Sequence, residues 1–161
     1  MGRNPEVTVA AVVSHDHQFL FVEEVINGRL VLNQPAGHLE EAETLLEAVI
    51  RETREETAWR FAPEALVGTY LWRSPQDGRS FLRFAFCGEV DDHQPSRSLD
   101  TGIVRAVWLS PGQLQREQER LRSPLVMRCV DDYLRGQRQP LASVARLDLR
   151  SALQAPAVLN L

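Results

Sequence analysis

Residues 7–13 form an unbroken apolar run rich in β-branched side chains, the pattern of a strand buried on both faces. Residues 19–26 predict a second strand, and Asn27-Gly28 a tight hairpin into a third strand over residues 29–32. The rhythm then changes. Leu45, Leu46, Ala48, Val49 and Thr53 recur at helical spacing, so this stretch predicts an amphipathic helix with those side chains facing inward. Glu43 is placed in its first turn, where the helix dipole favours a negative charge. Strands are predicted again over residues 66–72, 81–90 and 104–109, the first two joined by a polar loop at 74–79. Ser110 and Pro111 suit a capping side chain and a first-turn proline, opening a helix that runs toward Leu121. A last helix covers about residues 124–135 and stops at Gly136. The order of strands, helix, strands and helices predicts an α/β (α+β) fold, a mixed sheet sandwiched by helices. No repeat or linker interrupts residues 1–161, which read as a single domain with its core at about 7–140. Residues 141–161 are weakly patterned and are expected to be a peripheral or mobile tail.

Composition mainly excludes. The chain has 161 residues, enough to bury a core, and a net charge of −4. All 18 of its basic residues are arginines, with no basic block, which argues against a nucleic-acid polymer as partner. An anionic ligand would have to be met by individual arginines or by a cation. Cys87 and Cys129 lie among apolar residues without metal-ligand spacing and read as free thiols of a reducing compartment. His15 and His17 fall in a polar turn and read as a loop tip. No leader pattern precedes Val7 and no apolar run approaches the roughly 18 residues that span a membrane, so a cytoplasmic location without membrane contact is expected.

The chemistry gathers on the first helix. Glu52, Glu55 and Glu56 stand at i, i+3 and i+4 and share a helical face, where like charges repel by a few tenths of a kcal/mol per pair. Arg51 lies eight residues after Glu43 and four before Glu55, within pairing reach of both. Alone, the cluster fits a solvated surface as well as a hard divalent cation such as Mg²⁺, which takes carboxylate oxygens. A longer pattern separates the two. Gly37, Glu43, Arg51, Glu52, Glu55 and Glu56 match the box G-x5-E-x7-R-E-U-x-E-E-x-G-U, where U is bulky and apolar, and on these residues the chain resembles the Nudix hydrolase family. Thr53, Ala58 and Trp59 depart from the box; alanine at position 58 must take the left-handed turn usually given to glycine, at a cost of about 1 kcal/mol.

The resemblance implies a Nudix-type α/β/α sandwich around a mixed sheet and an enzyme that hydrolyses diphosphate linkages. It implies Mg²⁺ (Mn²⁺ as a substitute) held by Glu52, Glu55, Glu56 and the backbone carbonyl of Ala36 or Gly37. Glu52 and Glu55 are the candidate general bases, a base further along the chain remaining open, while Gly37, Glu43 and Arg51 orient the cluster. Residues 7–13, 22–28, 33–40, 81–84 and 122–126 resemble the NudJ branch of bacterial phosphatases. That branch implies phosphate release from nucleoside tri- and diphosphates, and conversion of thiamine diphosphate or its hydroxymethylpyrimidine diphosphate precursor to the monophosphate. Gln34, Trp72 and Arg83 are candidate substrate contacts: Gln34 flanks the turn, Trp72 can stack on a ring beside Phe81, and Arg83 can meet phosphate or pair with the glutamates. His38 is read as holding the turn, and Arg122-Ser123 precede a helix whose amides can receive an anion. The expected partner is a small phosphorylated molecule, and the expected state a monomer or homodimer. Two alternatives remain: a house-cleaning nucleoside triphosphate pyrophosphatase, and a non-catalytic nucleotide-binding regulator.

Overall fold

The computed structural model describes residues 4–146. Strand β1 (Glu6–His15) is the spine. Val9, Ala11 and Val13 pack toward one layer and Ala10 and Val12 toward the other, as the two-residue period of a strand requires. All five are at most 1% exposed, so a polar side chain at any of them would have no water to turn to.

β2 (Gln18–Ile26) and β3 (Arg29–Asn33) form the predicted hairpin, with Asn27 and Gly28 both at positive φ. β4 (Ala36–His38) follows, then helix α1 (Leu45–Thr57), the long hairpin β5 (Arg60–Arg73) and β6 (Ser80–Asp91), and β7 (Ile103–Leu109). Helices α2 (Pro111–Arg116) and α3 (Leu125–Leu134) complete the order. The strands make one mixed sheet in the order β3-β2-β1-β6-β5, with β4 also beside β1 and β7 beside β2. β1 and β6 run parallel from Glu6↔Phe81 to Val13↔Gly88. Ala48 and Val49 of α1 cover one face with Phe61 and Phe86; Val126, Cys129 and Val130 of α3 cover the other with Phe19 and Phe21. Burial of each valine and phenylalanine among them contributes roughly 1.5–3 kcal/mol. This is the helix–sheet–helix sandwich expected from the sequence.

Several boundaries differ. β5 begins at Arg60, well before residue 66, because Phe61 is buried and the strand absorbs Pro63 through irregularities at Pro63/Ala65 and Leu66/Gly68. β4, three residues long, is too short for any periodicity to reveal. α2 stops at Arg116, and a separate 3-10 turn over Gln118–Arg120 completes the path to Leu121. Glu43 lies ahead of α1 rather than in its first turn, because Thr44 is the N-cap. A 3-10 turn at Leu141–Val144 packs Leu141 and Val144 on the α1-side core, so the tail begins docked; residues 147–161 lie outside the described residues. Among the described residues no helix is long and apolar enough to cross a membrane.

Candidate active site

The ends of α1 are set locally. Thr44 accepts from the Glu47 N–H while the Glu47 carboxylate accepts from the Thr44 N–H, a reciprocal cap that fixes where the helix starts. At the other end Ala58 adopts φ 60° and ψ 10°, left-handed as the box demands of its glycine, and its N–H closes on the Arg54 carbonyl. The strain of roughly 1–2 kcal/mol is held by packing. Trp59 stacks on His93 at 4.3 Å, and the Ala58 carbonyl accepts from the Gln94 N–H. Thr53, the other departure, is fully buried and gives its hydroxyl proton to the Val49 carbonyl at 2.7 Å.

Beside α1, β4 brings Gly37 against Glu52. A Cβ at position 37 would lie 2.0 Å from the Glu52 carboxyl carbon, so only glycine leaves room for that carboxylate. Glu52 and Glu56 are 9% and 7% exposed: part of the acidic face turns inward against β4, not outward to solvent. The Glu56 Oε2 accepts from the Ala36 N–H at 2.9 Å. Burial raises the Glu56 carboxyl to about 9, with Glu52, Glu24 and Asp100 adding to the effect. Burial likewise raises Glu52, against the nearby Arg51 guanidinium.

Arg51 is the counterweight. Its Nε and Nη2 donate to Glu43 at 2.5 and 3.0 Å, its Nη1 to Glu52 at 2.8 Å and Glu55 at 3.1 Å, and its Nη2 also to the His38 carbonyl at 3.0 Å. Glu43 thus acts on the box through Arg51, whose guanidinium holds the Glu43 carboxyl below its usual range. Glu52, Glu55 and Asp100 each bring an oxygen within 4.8 Å of the other two. Asp100 escaped sequence reasoning. It sits in a turn 44 positions beyond Glu56, and its N–H donates to the Glu55 carbonyl at the helix. Crowded carboxylate oxygens, one of them on a carboxyl with a raised pKa, fit a hard divalent cation.

The acidic cluster borders a cavity of about 450 Å³ that Glu52, Glu56 and Gly37 help to line. Trp72 and Phe81 stack at 5.8 Å on its wall, and the Arg79 guanidinium lies 5.1 Å from the Phe81 ring centre. Arg79 and His38 both bind Glu6, whose carboxyl they depress to about 2, tying the loop at 74–79 to β4. Arg83 and Ser123 reach the cavity floor, and Arg122 lines it 3.6 Å from Glu24. Arg83 does not join the box glutamates; its bond is to the Gln34 Oε1, at 3.3 Å. Gln34 is 1% exposed and stands behind the lining, its Nε2 donating to the Val126 carbonyl at 2.7 Å. The structure therefore brings Trp72 and Arg83 to the cavity and leaves Gln34 as the support for Arg83.

A sandwich of this topology with a glutamate-bearing helix beside a cleft is shared with Nudix hydrolases of known structure. The NUDIX domain family matches residues 3–128, and the chain belongs to the Nudix hydrolase family. It is 43% identical over 140 residues to phosphatase NudJ of Escherichia coli (strain K12), an alignment covering 87% of this chain and 90% of that protein. Phosphatase NudJ of Shigella boydii gives the same figures. Among solved structures, a Nudix hydrolase from Nitrosomonas europaea superposes with a TM-score of 0.88 at 47% identity, covering 89% of this chain and 98% of that one.

Proposed function

We propose that the protein is a NudJ-like, Mg²⁺-dependent hydrolase. It releases phosphate stepwise from nucleoside tri- and diphosphates and converts thiamine diphosphate, or its hydroxymethylpyrimidine diphosphate precursor, to the monophosphate. The observation that carries this reading is the convergence of Glu52, Glu55 and Asp100 within 4.8 Å of one another, with Glu52 also lining a cavity that has aromatic and arginine walls. Likeness to NudJ over 140 residues supports the substrate class.

In this reading Glu52, Glu55 and Glu56, with the Ala36 carbonyl, hold Mg²⁺ or Mn²⁺, and Asp100 adds a fourth carboxylate. A divalent cation supplies charge neutralisation at the phosphates and a more acidic water. Glu52 or Glu55 takes the proton of the attacking water as a new P–O bond forms and the anhydride P–O bond breaks, the leaving phosphate carrying away the electron pair. Arg51, held by Glu43, keeps both carboxylates aimed, and Gly37 leaves room for Glu52. Trp72 and Arg83, backed by Gln34, face the substrate. The working unit is a cytoplasmic monomer.

The test is a panel of thiamine diphosphate, hydroxymethylpyrimidine diphosphate and nucleoside di- and triphosphates with Mg²⁺, products identified by chromatography. Orthophosphate as the released product is expected. Pyrophosphate released from triphosphates would replace this reading with the house-cleaning one, and absence of turnover on the whole panel would remove it.

A further inference from the structure

Residues 74–79 join β5 to β6, and Gln76, Asp77 and Arg79 of this loop line the cavity together with Trp72 and Phe81 at the strand ends. The loop is closed on itself. The Ser74 N–H donates to the Arg79 carbonyl at 2.8 Å and the Gly78 N–H to the Ser74 carbonyl at 2.9 Å. The Arg79 N–H donates to Asp77 Oδ1 at 3.1 Å, and Arg73 Nε to the Gly78 carbonyl at 3.3 Å. Among the described residues, the loop's hydrogen bonds to another element are the two that Arg79 gives to Glu6, Nε to Oε1 at 2.8 Å and Nη2 to Oε2 at 2.5 Å. A self-contained loop with one point of attachment can swing away as a unit when that point is lost.

Glu6 is well placed to be that point. It opens β1 as the register partner of Phe81, so its carboxylate lies about one strand spacing from the guanidinium it binds. His38 Nε2, at the end of β4, lies 2.8 Å from the same Oε2 and braces the carboxylate from the other side. The guanidinium so fixed stands 5.1 Å from the Phe81 ring centre, and Phe81 stacks on Trp72 with the ring planes 23° apart. Glu6 itself stands behind the lining, so it acts on the contents of the cavity only through Arg79.

Magnitude separates this role from one in folding. The two side chains are 31% and 35% exposed, and an ion pair so placed shifts an equilibrium by up to about fivefold, somewhat more when bidentate. That is small against global unfolding, yet it is enough to decide how often a short loop stands open.

We infer that Glu6 is a positioning residue: through its paired bonds to Arg79 it latches residues 74–79, and with them the Phe81–Trp72 wall, closed on the cavity. The inference rests on the hydrolase reading above and goes beyond it, because Glu6 belongs neither to the glutamate cluster nor to the cavity lining.

The experiment pairs steady-state kinetics with limited trypsinolysis of the full-length protein, comparing Glu6→Gln, Arg79→Met and the double variant with the parent. Glutamine keeps the size of Glu6 but leaves one neutral acceptor. For the diphosphate that the parent hydrolyses best, KM should rise about three- to tenfold in each single variant while kcat stays within about twofold, as expected for a lost binding wall. The double variant should match the larger single effect, because both substitutions break one contact. Cleavage after Arg73, followed by mass spectrometry, should be about three- to tenfold faster in all three, since it tracks the open population. Tm should fall by no more than about 2–3 °C. A KM that Glu6→Gln leaves unchanged or lowers, while Arg79→Met raises it, would overturn the inference and make Arg79 itself the ligand contact. Additive effects in the double variant, or cleavage after Arg73 at the parent rate, would overturn it as well. Faster cleavage in Glu6→Gln of a protein whose parent hydrolyses no diphosphate would instead sink the hydrolase reading and leave the latch standing.

Discussion

Arg51 and Arg83 occupy opposite sides of the same site and live by opposite rules. Arg51 is surrounded by Glu43, Glu52, Glu55 and the His38 carbonyl, and these partners raise its pKa. Arg83 is 6% exposed, has a 3.3 Å bond to a neutral amide and a free Nε, and burial lowers its pKa. A saturated guanidinium is a structural part: its donors are committed to the Glu43, Glu52 and Glu55 carboxylates and to the His38 carbonyl. An unsaturated one at a cavity floor is a buried charge with a donor left over. The site thus sets a guanidinium whose donors are all used beside one whose donors are not.

The largest effect should come at the saturated wall. Glu52→Gln should lower kcat/KM for diphosphate hydrolysis about 100- to 10,000-fold, as loss of a general base or central ligand does, while the protein stays folded. Steady-state kinetics at saturating Mg²⁺ decide it, and unaltered turnover would remove Glu52 from the chemistry.

Replacing the two arginines by methionine breaks the comparison directly. Arg51→Met strands three carboxylates; with the side chain 23% exposed, the loss should be about 1–3 kcal/mol in urea melts of the metal-free protein, partly restored by Mg²⁺. Arg83→Met removes a buried charge without a charged partner, so the same melts should show equal or greater stability. If both variants lose equally, the two arginines are both structural.

Acidity gives a third handle. Below about pH 4.5 Glu56 carries its proton whether folded or not; between there and about 9 the folded metal-free protein keeps a proton the unfolded chain has released. Glu56 therefore makes stability fall as pH rises across that window, by at most about 1.4 kcal/mol per unit, and contributes no slope above it. A divalent cation, by ionising Glu56, should flatten the slope. Thermal melts from pH 5 to 9 with EDTA or Mg²⁺ measure this, and identical slopes in the two series would exclude Glu56 from the cation site.

The smallest effect belongs to Ala58→Gly. Glycine relieves the left-handed strain of roughly 1–2 kcal/mol but loses a buried methyl worth about 0.8 kcal/mol and gains unfolded-state freedom worth about 0.4–1. The terms nearly cancel, so Tm should move by only about 2–3 °C and kcat should stay within about twofold. A larger fall in activity would mean that the helix end itself enters the chemistry.

How far the sequence could be read follows the range of each signal. The β1 run, the Asn27-Gly28 hairpin and the α1 stripe are local patterns, and the structure has all three. Ala58 was legible as a strained cap because only its own backbone matters. β4 was not, since its existence depends on Thr8, Val9 and Ala10 being alongside. Whether Arg83 pairs with glutamate or with Gln34 rests on Val126, which holds Gln34 from 92 positions away. Asp100 had no local mark at all.

Residue order alone therefore pointed to the family and to the helix carrying the glutamates, because fixed spacings on one helix act over a few ångströms of contiguous chain. Tertiary packing decided that Asp100 joins Glu52 and Glu55, that Gln34 supports Arg83, and that the Arg83 Nε stays unpaired. Contacts between segments distant in sequence exist only once the sheet has closed, and an unfilled hydrogen bond is visible only when every possible partner has been placed.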